Sequence, residues 1–336
     1  MKNSPTIKDI AAKLNLHYTT VSRALRDHPD VKEETRRQVK ELARQMNYQP
    51  NYLARSLKRQ KSNSIGVIVP EIRHHFFSAV ISGIEAVASE AGYVILVAQS
   101  NERVEREIIN TNVFIANHVA GLIVSISQST HSSDHFKPFL ERGKPLVFFD
   151  RVCEDLATSA VVVNDYEGAF NATEFLIRKG YRNIAHLAGS KNLPISNNRF
   201  QGYRDALKKY GIALNKQFVY WGGLQEENGK LGMEKLLRLK KPPEAVFAVN
   251  DPVAIGAYET INKHHLKIPD DVAVVGFSDN PISAVVSPPL TTVHQPAYEM
   301  GRRACEILLQ QIENSESPRS HKKIMLPTQL IIRDSA

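Results

Sequence analysis

The chain has 336 residues, 42% hydrophobic and 23% charged, with two cysteines and a formal net charge of +8. This composition excludes wholesale disorder. No apolar run approaches the ~18 residues of a membrane span, and Cys153 and Cys305 stand apart without a CxxC or Cys/His cluster, so neither a disulfide framework nor a metal site is indicated.

The excess charge sits at one end. Residues 1–61 hold 14 Lys and Arg against 6 Asp and Glu, whereas the remaining 275 hold 29 of each. A basic head on a neutral body suits a polyanion-binding module joined to a separate domain, since Lys and Arg neutralise phosphates whatever the base sequence. Charge alone would serve equally to keep a tail soluble, so the pattern within the head decides. Ile7, Ile10, Ala11 and Leu14 recur at helical spacing, with Thr6 placed as N-cap. Val21, Ala24 and Leu25 mark a second helix, and Val39, Leu42, Ala43 and Met46 a third. Only Asn15, Leu16 and His17 separate the first two, and Asn tolerates the left-handed conformation a sharp turn needs. Three short helices so arranged make a helix-turn-helix. With its apolar residues inward, the second helix presents Tyr18, Thr19, Ser22 and Arg23: hydroxyls, a methyl and a guanidinium suited to base edges in a major groove. A solvated helix face has the same composition.

Residues 51–61 are basic but carry Leu53, Ala54 and Leu57 on one side, reading as a charged interdomain linker with a nascent helix too short to stand alone. From Ser64, apolar runs alternate with helical stretches. Strands are predicted at 65–69, 94–97, 121–124 and 146–149, with helices near 77–91, 103–117 and 133–142. The order repeats after residue 160, with strands at 161–163, 184–188, 218–221, 245–249 and 272–276 and helices near 166–179, 197–210, 228–238 and 252–265. Apolar strands alternating with helices imply parallel sheets covered on both faces, hence an α/β body of two doubly wound lobes. Ligands of such sheets bind beyond the strand C-termini. Asp150, Asn250-Asp251 and Ser278-Asp279 end predicted strands, and Arg199 opens a helix. Each also reads as a cap or turn residue, the simpler reading for Asp251 and Asp279. Together they offer carboxylate, amide and guanidinium groups suited to sugar hydroxyls.

Thr6-Ile-Lys-Asp-Ile-Ala-Ala, Tyr18-Thr-Thr-Val-Ser-Arg-Ala-Leu, Val31-Lys-Glu-Glu-Thr-Arg and Asn47-Tyr-Gln-Pro-Asn, read together, resemble the LacI/GalR family of bacterial transcriptional regulators. The resemblance is dense over residues 5–66 and continues almost to the C-terminus. It implies a helix-turn-helix domain at 1–50, a hinge helix at 51–61 that forms when two copies pack on DNA, and an effector-binding and dimerisation domain at 62–336 like a type I periplasmic binding protein. It implies crossings between lobes near 161–164, 292–295 and 326–328, with lobe 1 at 62–161 and 294–326 and lobe 2 at 162–293 and 327–336; the helix at 297–312 returns to lobe 1. DNA contacts map onto Thr6, Tyr18, Thr19, Thr20, Ser22 and Arg23, and onto Asn51, Ala54, Arg55, Leu57 and Lys58 of the hinge, where Leu57 is the minor-groove wedge. Effector contacts map onto Asp150, Arg199 and Asn250, with Phe76, Phe77 and Phe247 at pocket-lining positions. The last family carboxylate falls on Ser278, one place before Asp279, and Leu224 holds the place of a sugar-stacking aromatic, three residues after Trp221. His17 and Lys32 stand where the family often has an N-cap Ser, so the second and third helices are expected to be capped less well.

The resemblance therefore implies a cytoplasmic homodimeric repressor that binds a near-palindromic operator in double-stranded DNA under control of a sugar or sugar derivative, with no cofactor and no membrane association. No heptad-patterned tail follows Leu330-Ile-Ile-Arg, so no tetramerising helix is expected. An enzyme would also fit a doubly wound body, but GxGxxG after a strand, GxxxxGK[ST] and GxSxG are all missing. A secreted solute-binding protein would share the body, but Met1-Lys-Asn-Ser-Pro lacks the apolar core of a signal segment.

Overall fold

In the head, local chemistry sets each helix. The computed structural model describes residues 5–48, 62–314 and 321–336, and the chain divides into two units, Met1–Ser62 and Asn63–Ala336. Helix α1 (Ile7–Leu14) starts with a capping box: Asp9 N donates to Thr6 Oγ1 at 3.4 Å, and Thr6 N donates to the Asp9 carboxylate at 2.7 Å. It stops where Asn15 adopts φ 53°. Helix α2 (Tyr18–Ala24) is better capped than the sequence suggests, because His17 Nδ1 accepts from Thr19 N at 3.4 Å and lies 2.7 Å from Thr19 Oγ1. Helix α3 (Glu33–Gln45) has no side-chain cap from Lys32; Glu33 and Glu34 instead place negative charge in its first turn. Ile10, Val21, Ala24 and Val39 are fully buried together, with Ile7, Leu14, Leu25, Leu42 and Met46 packed against them. The hinge residues 51–61 lie outside the described residues.

The second unit opens with β1 (Ser64–Val69), α4 (His75–Glu90), β2 (Val94–Gln99), α5 (Val104–Ala116), β3 (Gly121–Val124), α6 (Lys137–Glu141), β4 (Leu146–Phe149) and β5 (Ser159–Val163). It continues with α7 (Asp165–Arg178), β6 (Ile184–Ala188), α8 (Pro194–Lys209), β7 (Val219–Trp221), α9 (Glu226–Leu237), β8 (Ala245–Ala248), α10 (Asp251–Lys263) and β9 (Ala273–Ser278). Then come β10 (Thr291–His294), α11 (Ala297–Glu313), β11 (Lys323–Leu326) and β12 (Gln329–Ile331). The strands form two sheets, ordered β11-β5-β4-β3-β1-β2 and β12-β10-β9-β8-β6-β7. All pairings are parallel except β10 with β12. Helices pack on them as α4 with α11 in the first lobe, and α7 with α8 and α9 with α10 in the second.

The chain passes between sheets at Asn164, at Gln295–Pro296 and at Pro327–Thr328. Two of the lobe bounds move by one or two residues from the sequence reading. Val162 and Val163, assigned to lobe 2, pair with Met325 and Leu326 in the first sheet. His294, assigned to lobe 1, pairs with Ser278 and Gln329 in the second. Strands β10, β11 and β12 carry no apolar run long enough to be predicted. Among the described residues no helix is long and apolar enough to cross a membrane.

Helices α9 and α10 cross at glycines: a Cβ on Gly256 would overlap the Glu226 carbonyl, and one on Gly229 would overlap that of Val253. In an open helix Gly→Ala stabilises by up to ~1 kcal/mol. At Gly256 the backbone opposite cannot yield, so Gly256→Ala is expected to destabilise the body by about 1–3 kcal/mol, read by chemical denaturation; a gain in stability would show that the helices are free to separate.

Candidate functional site

Eight strand ends converge on one cleft between the lobes. The first lobe contributes His74, Phe76 and Phe77 after β1, Glu102 after β2, and Asp150 and Arg151 after β4. From the second come Ile195 and Arg199 after β6, Leu224 and Gln225 after β7, Asn250 and Pro252 after β8, and Ser278 and Asn280 at the end of β9. Gln295, on the second crossing, completes the wall. The backbone at these ends is bent sharply: φ is 58° at Glu102, 56° at Asp150, 131° at Ser278 and 57° at Asp279. Non-glycine residues in this region cost of order 1–3 kcal/mol each and cluster at functional sites.

Two buried guanidiniums organise the polar groups. Arg151 Nη1 donates to both Glu102 oxygens, at 3.0 and 2.8 Å, and its guanidinium lies 5.6 Å from the Phe77 ring centroid. Glu102 also accepts from Gln128 N at 2.8 Å, tying the β3–α6 loop to the cleft. Arg199 is 2% exposed. Its Nε donates to Asp165 Oδ1 at 2.8 Å, its Nη1 to Val249 O at 2.6 Å, and its plane covers Phe277 at 3.7 Å. Burial raises the Asp165 carboxyl to about 6, against the lowering pull of Arg199; the nearby Asp150 charge raises it too. Burial likewise raises Asp150, opposed by Arg151 and Arg199. Across the mouth, Gln225 Oε1 lies 3.0 Å from His74 Nε2 and accepts from Arg73 Nη2 at 3.3 Å, so one amide joins the lobes.

Of the residues expected in the cleft, Phe76, Phe77, Asp150, Arg199, Asn250 and Ser278 line it. Asn250 is largely committed, its Oδ1 capping α10 through Val253 N at 2.9 Å and its Nδ2 donating to Leu224 O at 2.9 Å. Two expectations are corrected. Phe247 is fully buried in the core, stacked on His186 at 4.8 Å, because its strand position turns it towards the covering helices rather than the strand tip. Asp279 is turned from the cleft by the left-handed bend: it accepts from Arg333 Nη2 at 2.7 Å and lies 3.1 Å from His294 Nδ1. Asp251 is structural, accepting from Asn280 N at 2.7 Å, Ser283 Oγ at 2.8 Å and Thr292 Oγ1 at 2.5 Å. Leu224 lines the cleft, whereas Trp221 packs on Phe200 at 5.1 Å. His74, Glu102, Arg151, Gln225, Asn280 and Gln295 were not predicted; only Arg151, adjoining Asp150 at a strand end, carried a sequence signal. Among the described residues no group of three His, Cys, Asp or Glu is placed to hold a metal ion. Burial pushes both thiols up to about 12, with Cys305 buried and Cys153 half-buried.

On the head, Tyr18 is 47% exposed and the Arg23 side chain 55% exposed, 4.0 Å from Asp30. Thr6 and Thr19 are exposed and Thr20 and Ser22 half-buried. Ser22 Oγ and O accept from Arg26 at 2.8 Å each. Thr6 spends its hydroxyl on the α1 cap. Asn51, Ala54, Arg55, Leu57 and Lys58 lie outside the described residues.

The profile of bacterial regulatory proteins of the lacI family matches residues 6–51, and that of a periplasmic binding protein-like domain matches residues 173–336. The HTH-type transcriptional repressor CytR of Escherichia coli (strain K12) is 33% identical, over 99% of this chain and 97% of its own. The chain belongs to the lacI family. It is a DNA-binding regulator of transcription. Among solved structures similar to this lacI-family regulator, the lac repressor dimer bound to operator and the anti-inducer ONPF covers 99% of each chain at 25% identity and TM-score 0.85. The transcriptional regulator CelR in complex with cellobiose covers 99% of this chain and 100% of its own, at 28% identity and TM-score 0.75.

Arg199→Ala would leave Asp165 and Asp150 buried beside a lost cation, at an expected cost of about 3–5 kcal/mol to the body. The folded mutant then binds more protons than the unfolded chain, so the deficit should shrink as pH falls from neutral towards 4. Denaturation at several pH values checks this; a deficit independent of pH would mean the guanidinium acts only by filling space.

Proposed function

We propose that this lacI-family regulator is a homodimeric repressor whose affinity for a near-palindromic operator is set by a small polyhydroxylated effector, a sugar or a sugar derivative, held between the lobes. The observation that carries the reading is the joining, in one chain, of a capped α2 with polar groups outward and a polar cleft built from both sheets. Tyr18, Thr19, Thr20 and Arg23 read base edges, with Ser22 and Thr6 alongside, and the hinge residues Asn51, Ala54, Arg55, Leu57 and Lys58 bind and wedge the minor groove. Asp150 and Arg199 hold effector hydroxyls against the Phe76 and Phe77 rings, with Asn250 and Ser278 opposite.

Supporting self-association, the outer strand β2 leaves Val94 64% exposed beside Ile109 at 59% and Val113 at 48% on α5, an apolar surface that a second copy would cover. Two copies present two reading helices to a two-fold site. Supporting a sensor rather than an enzyme, Ser278 Oγ is engaged by Gln295 at 3.0 Å and His74 by Gln225, so neither forms a nucleophile–base pair. Its place of action is the cytoplasm, where the operator is.

Selection of genomic fragments by the purified protein is expected to retrieve an inverted repeat whose affinity changes with a metabolite; retrieval of no preferred sequence at low salt would overturn the reading. On that operator, Arg23→Ala should weaken binding by roughly 10–100-fold, the worth of one base-reading pair, with effector affinity unchanged. Equal operator binding by the mutant in anisotropy titrations would remove Arg23 from the reading face.

A further inference from the structure

At the end of the reading helix an arginine is held in place but not neutralised. Arg26 stands two residues past α2 (Tyr18–Ala24) and is exposed. Its side chain turns back along the helix: Nε donates to Ser22 O and Nη2 to Ser22 Oγ, at 2.8 Å each. The bond to Ser22 O satisfies a carbonyl that the helix leaves open at its C-terminus, so a cap is the simpler role. That role leaves most of the group unspent. The Nη1 hydrogens and one on Nη2 have no acceptor among the described residues.

The carboxylates that follow in sequence are turned to other cations. Asp27 lies 2.5 Å from Lys40 Nζ and 3.7 Å from Arg36 Nε, and Asp30 lies 3.4 Å from His28 Nδ1 and 4.0 Å from Arg23 Nη1. Among the described residues Arg26 forms no ion pair. A guanidinium fixed in one orientation without a counter-charge is prepared for an anion from outside the chain. Ser22 adds a second donor at the same place. Because its Oγ accepts from Arg26, its own proton is turned away from the guanidinium, and accepting from a cation strengthens that proton as a donor. The pair so offers N–H and O–H donors to one tetrahedral oxyanion, whose geometry the planar fork of an arginine matches. Helical spacing sets Tyr18, Ser22 and Arg26 on one ridge, beside that of Thr19 and Arg23.

Resting on the reading of α2 as the major-groove helix, we propose that Ser22 and Arg26 form a phosphate clamp. Arg26 forks onto a backbone phosphodiester of the operator, and Ser22 Oγ donates its proton to the same group. The clamp fixes how the helix sits in the groove and carries no base preference. Ser22 is thereby an anchoring residue, and of the two arginines it is Arg23 that reads sequence.

The test is an anisotropy titration of the full-length protein at several salt concentrations on two probes. One is the inverted repeat retrieved from genomic fragments, the other a mixed-sequence duplex of equal length. Arg26→Gln should weaken both to a similar degree, about tenfold or more at low salt, and lower the slope of log affinity against log salt by about 0.9 per head. Arg26→Lys should keep the slope, since the charge stays, and lose part of the affinity with the fork. Ser22→Ala should weaken both duplexes at unchanged slope and add little on top of Arg26→Gln. An unchanged slope in Arg26→Gln overturns the clamp, because a residue that only caps α2 displaces no counterions. A loss confined to the inverted repeat also overturns it and makes Arg26 a base reader. Should Arg26→Gln fail to fold, Ser22→Ala decides: equal loss on both duplexes supports the clamp, and loss on the inverted repeat alone overturns it. A wild type that binds neither duplex at low salt fails the major-groove reading itself, an outcome distinct from a wild type that binds with the slope of its Arg26→Gln variant.

Discussion

The buried Arg199 guanidinium is the group on which both the second lobe and the cleft depend. An uncompensated charge there would cost several kcal/mol, so its partners must be in place before the lobe is stable. Those partners come from separate parts of the chain: Asp165 from the first turn after the crossing at Asn164, Val249 O from the end of β8, and the Phe277 ring from β9. One side chain therefore ties crossing, sheet edge and cleft wall together. The group that faces a ligand is already oriented by the fold, which is the cheapest route to selective binding.

Topology does the rest. Parallel strands send their C-termini to one side, and two such sheets joined by three crossings leave a polar cleft with a hinge beneath it. The left-handed residues at Glu102, Asp150 and Ser278 are the local consequence, since the chain must turn sharply there to bring side chains inward. Gln225 reaches across to His74 and Arg73 at the mouth, and Gln295 sits on a crossing itself. A ligand that binds the two lobe arrangements unequally shifts their populations by that difference and by nothing more.

The head was legible because small helices announce themselves: the i, i+3, i+4 spacing of Ile7, Ile10 and Ala11, the Thr6 cap and the Asn15 turn are local facts. The parallel strands were legible as apolar runs. Which sheet a run joins is not local, and Val161-Val162-Val163 reads the same in either lobe; pairing with Met325 and Leu326, over 160 residues away, decides it. Strand β10, Thr291-Thr-Val-His, is half polar because its hydroxyls serve Asp251 and Arg333 N, so it hid among loops. The cleft was half legible. Charged strand ends such as Asp150 stood out, but Glu102 and Gln295 become cleft residues only through distant partners. Phe247 misled because family position says nothing of which sheet face a ring takes. His17 served as a cap because an imidazole nitrogen accepts an amide proton as a hydroxyl does.

If the Arg199–Asp165 pair joins the cleft to the crossing, then weakening it from behind must disturb the response without touching the cleft wall. Asp165 does not line the cavity. The direct test is the ligand-induced shift of the operator-binding curve in Asp165→Asn. The expected result is a folded protein that binds operator but whose shift is reduced at least tenfold. A shift equal to that of the wild type would show that the pair holds the lobe together and carries nothing between ligand and DNA.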